Sequence, residues 1–306
     1  MPAATVWIPA TTAPEHRAFL PAGVEVREVP PSGDISDRPQ HADILISGFD
    51  APRTIEILPQ VRDLRVVQTL SAGVDTLVDH IPADVILCDG SGIHDASVSE
   101  WIVMAMLAMR RRLPECVLSQ RVATWRSSGR GADLEGATVL ILGYGSIGRA
   151  LAQRLQPFGA RVERVARRAR TGVHGVDELA GLLPDAEVVV ILLPLTAETR
   201  GMVDASFLAA MRRDALLVNA ARGAIVDTDA LLAALHTERI RCALDVTDPE
   251  PLPDGHPLWS APGALITPHI GGNVRRLMER AWRFAAEQVR RYIDGEPLLN
   301  VVDHGY

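Results

Sequence analysis

The chain has 306 residues, 47% of them hydrophobic and 23% charged, which is the composition of an ordinary globular protein with room for two domains. A formal net charge of −7 argues against general nucleic-acid binding, and no apolar run is as long as a membrane span. The first residues contain no basic region leading into an apolar segment, and the three cysteines are isolated, without disulfide or zinc spacing. We therefore expect a cytoplasmic protein without a metal site, a nucleic-acid partner or a membrane partner.

All 31 basic residues are arginines, because the sequence contains no lysine. This absence excludes the lysine of a Walker phosphate loop, a pyridoxal-phosphate Schiff base and the Tyr-x-x-x-Lys pair of short-chain dehydrogenases. Any proton transfer must then use His, Asp, Glu, Tyr or Cys.

Short apolar runs alternate with more polar or helical stretches through the first ninety residues, a pattern typical of βα units around a parallel sheet. The strands predicted there are 6–8, 24–29, 44–46, 64–68 and 85–88. A long and nearly all-apolar helix then begins at Ser97 and ends at the arginines 110–112, with Pro114 beyond. We expect this helix to be buried between domains or subunits.

The next apolar strand, 137–142, leads into a glycine-rich turn and then into a helix that ends near Gly159. Strand, glycine turn and helix in this order are the context in which such a turn binds a dinucleotide, its pyrophosphate facing the N–H groups of the helix start. Three spaced glycines are a weak signal alone, so the flanking elements carry the assignment. The residues of the turn are Gly143, Tyr144, Gly145, Ser146, Ile147 and Gly148.

A second alternation follows the turn and completes the predicted architecture. Its strands are 161–165, 188–193, 216–219, 242–246 and 265–267, with a proline-rich loop at 248–257 and a final helix at about 274–294 that returns to the first domain. The predicted fold class is α/β, with two doubly wound parallel sheets and a cleft between them. A Rossmann dinucleotide-binding domain (99–272) is inserted into a flavodoxin-like substrate-binding domain (1–98 and 273–306).

Six motifs in order carry a resemblance to a known family. They are Ser71-Ala72-Gly73-Val74-Asp75, the turn 143–148, Leu193-Pro194-Leu195-Thr196, Asn219-Ala220-Ala221-Arg222-Gly223, Asp245 to Glu250-Pro251, and Thr267-Pro268-His269-Ile270-Gly271-Gly272. Together they resemble the D-isomer-specific 2-hydroxyacid dehydrogenases, in particular the glyoxylate/hydroxypyruvate reductases. The resemblance implies that the cofactor contacts the glycine turn and Leu193, Pro194, Ala220, Arg222, Asp245, His269 and Gly271. It implies that the substrate contacts Ala72, Gly73, Val74, Arg222 and His269.

The catalytic candidates are Arg222, Glu250 and His269. Arg222 follows an apolar strand, and its guanidinium can hold the carboxylate and the 2-oxo group of a small acid. His269 also follows a strand and can donate a proton to the carbonyl oxygen, while the resemblance places Glu250 beside it, where a carboxylate favours the imidazolium. The alternatives are a surface ion pair for Arg222, a structural histidine and a solvated loop acid.

The first domain contributes the turn 71–74, whose successive N–H groups would meet the substrate carboxylate, unless it is a plain loop. Phe49 and His94 either approach the substrate or, as we favour, pack in the core. Formate dehydrogenases of the same superfamily look different at position 250, where they use glutamine. Glu250 therefore argues against formate dehydrogenase activity. The absence of lysine argues against the phosphite-oxidising relatives.

The cofactor preference is read from the end of strand 161–165, where an NAD-binding domain normally carries an acid for the ribose hydroxyls. That position is Ala166, and Arg167, Arg168 and Arg170 follow it. Arginines without the acid attract a 2′-phosphate, so we expect NADP(H) to be preferred and NAD to be possible. In the alternative interpretation the arginines are a solvated turn, and Glu163 or Asp177 is the ribose acid.

These features predict an NAD(P)H-dependent reductase of a small 2-oxoacid such as glyoxylate or hydroxypyruvate. The helix from Val98 and the segment 111–134 are expected to form a homodimer interface. Two alternatives stay open: a dinucleotide-sensing binding protein like the corepressors of this fold, and a reductase of longer or aromatic 2-oxoacids. Selectivity for the acyl group depends on pocket side chains such as Phe49, Met104 and Trp259, which the sequence does not locate.

Overall fold

The computed structural model describes residues 4–33, 35, 41–127 and 129–302. The chain divides into two compact units, Met1–His94 with Arg275–Tyr306, and Asp95–Val274. We call these the first and the second unit. The sequence predicts changes of domain after residues 98 and 272. The assignment of substrate to one unit and of dinucleotide to the other stays a prediction.

Eleven strands and nine α-helices are found in the described residues. The strands are β1 (Thr5–Pro9), β2 (Glu25–Val29), β3 (Ile44–Gly48), β4 (Val66–Thr69), β5 (Ile86–Cys88), β6 (Thr138–Leu142), β7 (Arg161–Val165), β8 (Val188–Ile191), β9 (Leu216–Asn219), β10 (Arg241–Leu244) and β11 (Ala264–Ile266). The helices are α1 (Pro14–Arg17), α2 (Ala51–Ile57), α3 (Asp95–Arg110), α4 (Leu113–Arg121), α5 (Ser146–Leu155), α6 (Leu179–Leu182), α7 (Ala205–Ala210), α8 (Thr228–His236) and α9 (Leu277–Asp294).

The first unit contains a parallel five-stranded sheet in the order β2-β1-β3-β4-β5. Val6 and Ile8 of β1 pack on α9, in a cluster that includes Trp282, while Trp7 faces the opposite cluster with Ile57 of α2. Both faces of β1 are thus covered, which explains why this strand is almost continuously apolar. The order reverses between β1 and β3, as in flavodoxin-like sheets.

The second unit contains a parallel six-stranded sheet in the order β11-β10-β9-β8-β6-β7. Val139 and Ile141 of β6 face a cluster with Trp101 of α3, whereas Leu140 and Leu142 face the opposite cluster. The strand order reverses between β6 and β8, which is where ligands of open α/β sheets bind. The predicted fold class, two doubly wound parallel-sheet domains with the Rossmann domain inserted into a flavodoxin-like one, is confirmed.

One side of the long apolar helix is covered within its own unit. The buried side of α3 packs on α5 and on the sheet of its own unit, in one cluster with Ile102, Met106 and Leu151. A helix lying on a sheet beside another helix is covered over a wide arc, and further burial of α3 against a second domain or subunit stays a prediction. Met104 on the other side of α3 is 49% exposed.

In the described parts of the chain, no helix is both long enough and apolar enough to cross a membrane.

Candidate functional site

Three glycines follow β6 at the switch point of the second sheet, and each has a different environment. Gly143 has φ +96°, and a Cβ there would collide with the Leu192 carbonyl in the loop after β8. A Cβ on Gly148 would stand 2.6 Å from the Gly143 oxygen, so this glycine lets α5 pack against the strand end. A Cβ on Gly145 would meet no heavy atom within 4 Å. Two glycines therefore serve the backbone, and only Gly145 faces open space that a ligand can fill.

Helix α5 begins directly after that open position, with Gly145 as its N-cap and no side chain capping its first turn. The N–H groups of a helix start favour an anion, and the ten residues of α5 align their dipoles toward it. The residues present therefore fit the pyrophosphate of a dinucleotide.

The arginine-rich segment that follows β7 lies close to this turn. Ala166 comes immediately after β7, and its N–H donates to the His174 carbonyl at 3.0 Å. Arg170 Nη2 donates to the Tyr144 carbonyl at 3.1 Å, so this side chain reaches the glycine turn. Arg167 and Arg168 are exposed, and Arg167 pairs with Glu198 at 3.1 Å.

Glu163, the alternative candidate for the acid that binds the ribose hydroxyls, contacts a histidine that the sequence analysis did not single out. His174 Nε2 lies 3.3 Å from Glu163 Oε2, and His174 Nδ1 lies 2.8 Å from Glu178 Oε2. The hydrogen bond with Glu178, followed by the one with Glu163, raises the pKa of His174. A β-bridge between residues 165 and 174 brings His174 and Glu163 together. No sequence signal indicates this bridge.

Arg222 is held at the carboxyl end of β9 by the asparagine that ends the strand. Asn219 Nδ2 donates to the Arg222 carbonyl at 2.9 Å, and Asn219 Oδ1 accepts from Ala221 N at 3.1 Å. Gly223 lies so close to the Thr247 carbonyl that a Cβ there would collide with it. The loops after β9 and β10 are therefore in direct contact, and the half-buried Arg222 stands between a fixed asparagine and this contact.

His269 and Glu250 form the candidate acid pair. His269 Nδ1 lies 2.6 Å from Glu250 Oε1, with the two side chains 48% and 40% exposed. Because an ionised carboxylate only accepts, Nδ1 carries the hydrogen in this pair and the ring is oriented through it. His269 has φ +53°, and its N–H donates to the Asp245 carbonyl at 2.7 Å.

Asp245, which is 4% exposed, holds the loop that carries His269. Its Oδ1 accepts from Thr267 Oγ1 at 2.6 Å and from Ile270 N at 2.8 Å, and its Oδ2 accepts from Gly271 N at 2.7 Å. Both carboxylate oxygens are therefore engaged within the loop after β11. A contact of Asp245 with the cofactor stays a prediction, and the support given by Thr267 was missed in the sequence.

The remaining cofactor candidates lie on loops of the same unit. Leu193 and the exposed Pro194 follow β8, while Ala220 N is 3.4 Å from the Ile191 carbonyl. Gly271 is buried, and a Cβ there would stand 2.7 Å from Asp245 Oδ2.

The turn 71–74 lies in the first unit, after β4. Val74 is 1% exposed, so its side chain belongs to the core, whereas Ala72 and Gly73 are half-buried. Phe49 is 47% exposed and meets His94 edge to face, with ring centroids 6.1 Å apart. The expected core position is therefore wrong for Phe49, which follows the carboxyl end of β3 where the strand leaves the core.

Among the residues that the structure describes, no cluster of three or more His, Cys, Asp or Glu side chains is arranged to hold a metal ion.

A doubly wound sheet, with a three-glycine turn at its switch point and a histidine–glutamate pair beyond later strands, defines a dinucleotide-binding α/β protein. Residues 103–271 match the model of the D-isomer specific 2-hydroxyacid dehydrogenase, NAD binding domain. The chain belongs to the family of D-isomer specific 2-hydroxyacid dehydrogenases.

Similar proteins include several with defined functions. A D-3-phosphoglycerate dehydrogenase of Mycobacterium bovis is 34% identical over 96% of this chain and 57% of its own length. The chain thus spans little more than half the length of the first curated relatives it matches. Among solved structures, a family member from Xanthobacter autotrophicus Py2 in complex with NADPH and MES is 32% identical, with a TM-score of 0.84 and coverage of 98% of this chain and 99% of that one. An NADPH-dependent glyoxylate/hydroxypyruvate reductase from Sinorhizobium meliloti, in complex with NADP and sulfate, is 26% identical, with a TM-score of 0.84 and 98% coverage of both chains.

Proposed function

We propose that this protein is an NADPH-dependent reductase that converts a small 2-oxoacid of the glyoxylate or hydroxypyruvate type into its D-2-hydroxyacid. The observation that carries the proposal is the 2.6 Å contact between His269 Nδ1 and Glu250 Oε1 beyond β10 and β11. A histidine oriented by a carboxylate is suited to give a proton to an oxygen on which negative charge develops. NADPH, when bound, supplies the hydride.

In this reaction His269 gives its Nε2 proton to the substrate oxygen, and Glu250 stabilises the imidazolium before the transfer. Arg222 binds the substrate carboxylate and polarises the 2-oxo group, because a guanidinium presents two parallel N–H donors. Backbone N–H groups of Ala72, Gly73 and Val74 contribute to carboxylate binding. Asn219 orients Arg222, and Asp245 orients His269.

The substrate class is tested with a panel of glyoxylate, hydroxypyruvate, pyruvate and phenylpyruvate in the reductive direction, and of D-3-phosphoglycerate in the oxidative direction. The proposal expects the largest kcat/KM for glyoxylate or hydroxypyruvate. A preference for phenylpyruvate would move the protein to the reductases of larger acids, and a preference for D-3-phosphoglycerate would align it with the relative from Mycobacterium bovis. Tight NADPH binding without turnover of any of these acids would overturn the proposal in favour of a dinucleotide-sensing protein.

The preference for NADPH is supported by the residues after β7. Ala166 replaces the expected acid, Arg167 and Arg168 are exposed beside it, and Glu163 is engaged with His174. The relatives from Xanthobacter autotrophicus and Sinorhizobium meliloti were solved with NADPH and NADP. A single charge-assisted hydrogen bond to a phosphate is worth about 1.5–3 kcal/mol, or roughly 10- to 100-fold in affinity.

The test of this preference is a triple substitution, Ala166→Asp with Arg167→Ser and Arg168→Ser. It is expected to reverse the ratio of kcat/KM for NADPH and NADH, because the new carboxylate repels the 2′-phosphate and binds the ribose hydroxyls. Arg213→Ser, which changes an exposed arginine before β9, is the matched control and should leave the ratio unchanged. A wild-type protein that already prefers NADH tenfold would refute the assignment of Ala166.

We also propose a homodimer, because α4 and the residues after it expose several large apolar side chains. These are Leu113, Val117, Leu118, Val122 and Trp125. Contiguous apolar surface of this kind marks a protein interface. Sedimentation equilibrium of the wild-type protein and of Leu118→Asp tests this, with a dimer expected for the first and a monomer for the second. A monomeric wild-type protein would refute it.

A further inference from the structure

In the first unit, two carbonyl groups just before Ala72 are held by side chains. His94 Nε2 lies 3.1 Å from the Leu70 carbonyl oxygen, and Thr69 Oγ1 donates to the Ser71 carbonyl oxygen at 2.7 Å. Because a carbonyl oxygen has no proton to give, His94 must carry hydrogen on Nε2. Two consecutive peptide groups are thus fixed by two different donors.

Fixing a carbonyl also fixes the N–H on the other side of the same peptide plane. In a trans peptide the C=O of one residue and the N–H of the next point in opposite directions. The hydrogen bonds to Leu70 and Ser71 therefore set the directions of Ser71 N–H and Ala72 N–H. Ala72 N–H is one of the groups proposed above to contribute to carboxylate binding, and Ser71 N–H directly precedes it.

The backbone beneath these peptides has little room to move. A Cβ on Gly90 would stand 2.8 Å from the Leu70 carbonyl carbon and oxygen, and Gly90 N donates to the Ser71 oxygen at 2.7 Å. The fully buried Gln68 donates through Nε2 to the Thr69 carbonyl at 2.6 Å, and its Oε1 accepts from Gln288 Nε2 of α9 at 2.8 Å. A satisfied buried amide pair of this kind is rigid.

We propose that Thr69 and His94 are positioning residues for the carboxylate of the 2-oxoacid, an inference that rests on the proposed function. Neither side chain is assigned a contact with the substrate, and both act through the peptide planes that they hold. Thr69 is 3% exposed at the end of β4, where valine has the same shape. Since packing alone would accept valine, the contribution of the hydroxyl is its hydrogen bond to Ser71.

The test compares Thr69→Val, which removes only this donor, with Thr69→Ser, which keeps it. The second pair is His94→Phe, which keeps an aromatic ring beside Phe49, and His94→Gln, which can still donate through its amide. For each variant and the wild type we would measure KM and kcat with glyoxylate, the Kd of NADPH, and hydrogen exchange of a peptide covering residues 70–75.

Thr69→Val and His94→Phe are each expected to raise the KM for glyoxylate about 3- to 10-fold, the range of one hydrogen bond, with kcat within about twofold. The Kd of NADPH should not change, exchange in 70–75 should be faster, and Thr69→Ser and His94→Gln should restore most of the wild-type KM. A lower thermal midpoint with an unchanged KM would overturn the inference, because it describes a purely structural role. Unchanged exchange would overturn it as well. If the wild-type protein turned over no acid of the panel, the proposed function would be refuted. Faster exchange in Thr69→Val would in that case still support the conclusion that Thr69 holds the turn.

Discussion

The carboxylate of Asp245 offers a direct test of how the loop around His269 is held. Thr267 Oγ1, Ile270 N and Gly271 N donate to its two oxygens at 2.6–2.8 Å, and the side chain is 4% exposed. In Asp245→Asn only one of the two positions can accept. At least one donor then faces an NH₂ group in a site without solvent.

The magnitude follows from the number and type of these bonds. A hydrogen bond to a charged group contributes roughly 1.5–3 kcal/mol, and an unsatisfied buried donor adds to the loss. We expect Asp245→Asn to lower the free energy of unfolding of the second unit by about 2–4 kcal/mol, which for a unit of this size is a fall in Tm of about 4–16 °C. Since a displacement of about 1 Å in a reacting group can cost up to 100-fold, kcat should fall roughly 10- to 100-fold.

The assay combines calorimetry, steady-state kinetics and NADPH titration, with Asp254→Asn, an exposed acid of the loop after β10, as the control. The control should match the wild type in all three measurements. If Asp245 instead acts through the cofactor, Asp245→Asn would weaken NADPH binding at an unchanged Tm. That result would refute the holding role.

Alanine substitutions at two glycines of the turn are expected to have different effects. Gly145→Ala should keep the wild-type Tm and weaken NADPH binding, because its methyl group enters open space. Gly143→Ala should lower the Tm, because its methyl group would collide with the Leu192 carbonyl. Equal NADPH affinity in Gly145→Ala and the wild type would remove this turn from the binding site. His269→Ala should lower kcat/KM by about 100- to 10,000-fold at constant NADPH affinity. If more than half of the wild-type turnover remained, His269 would not be the proton donor. Arg222→Lys should raise the KM for the oxoacid and lower kcat, because lysine lacks the planar pair of donors, and unchanged kinetics would make Arg222 structural.

The sequence alone determined the architecture of this protein and the position of its glycine turn. Strands buried on both faces are apolar along most of their length, so the run Leu216–Asn219 was predicted with its observed bounds. The three glycines could be assigned because each role constrains one backbone position locally. Strand ends were less accurate: the predicted run 188–193 is a strand only as far as Ile191, and the carbonyl of the next residue, Leu192, lies against Gly143.

Tertiary structure decided which polar groups meet, since these contacts join residues that are far apart in the chain. Asp245 and Gly271 are 26 positions apart, and Gln68 and Gln288 are 220 apart. No periodicity encodes such pairs, because each depends on how elements that are distant in the sequence pack against one another. The burial of α3 within its own unit has a similar cause: its sequence shows an apolar helix, but only packing decides which surface covers it.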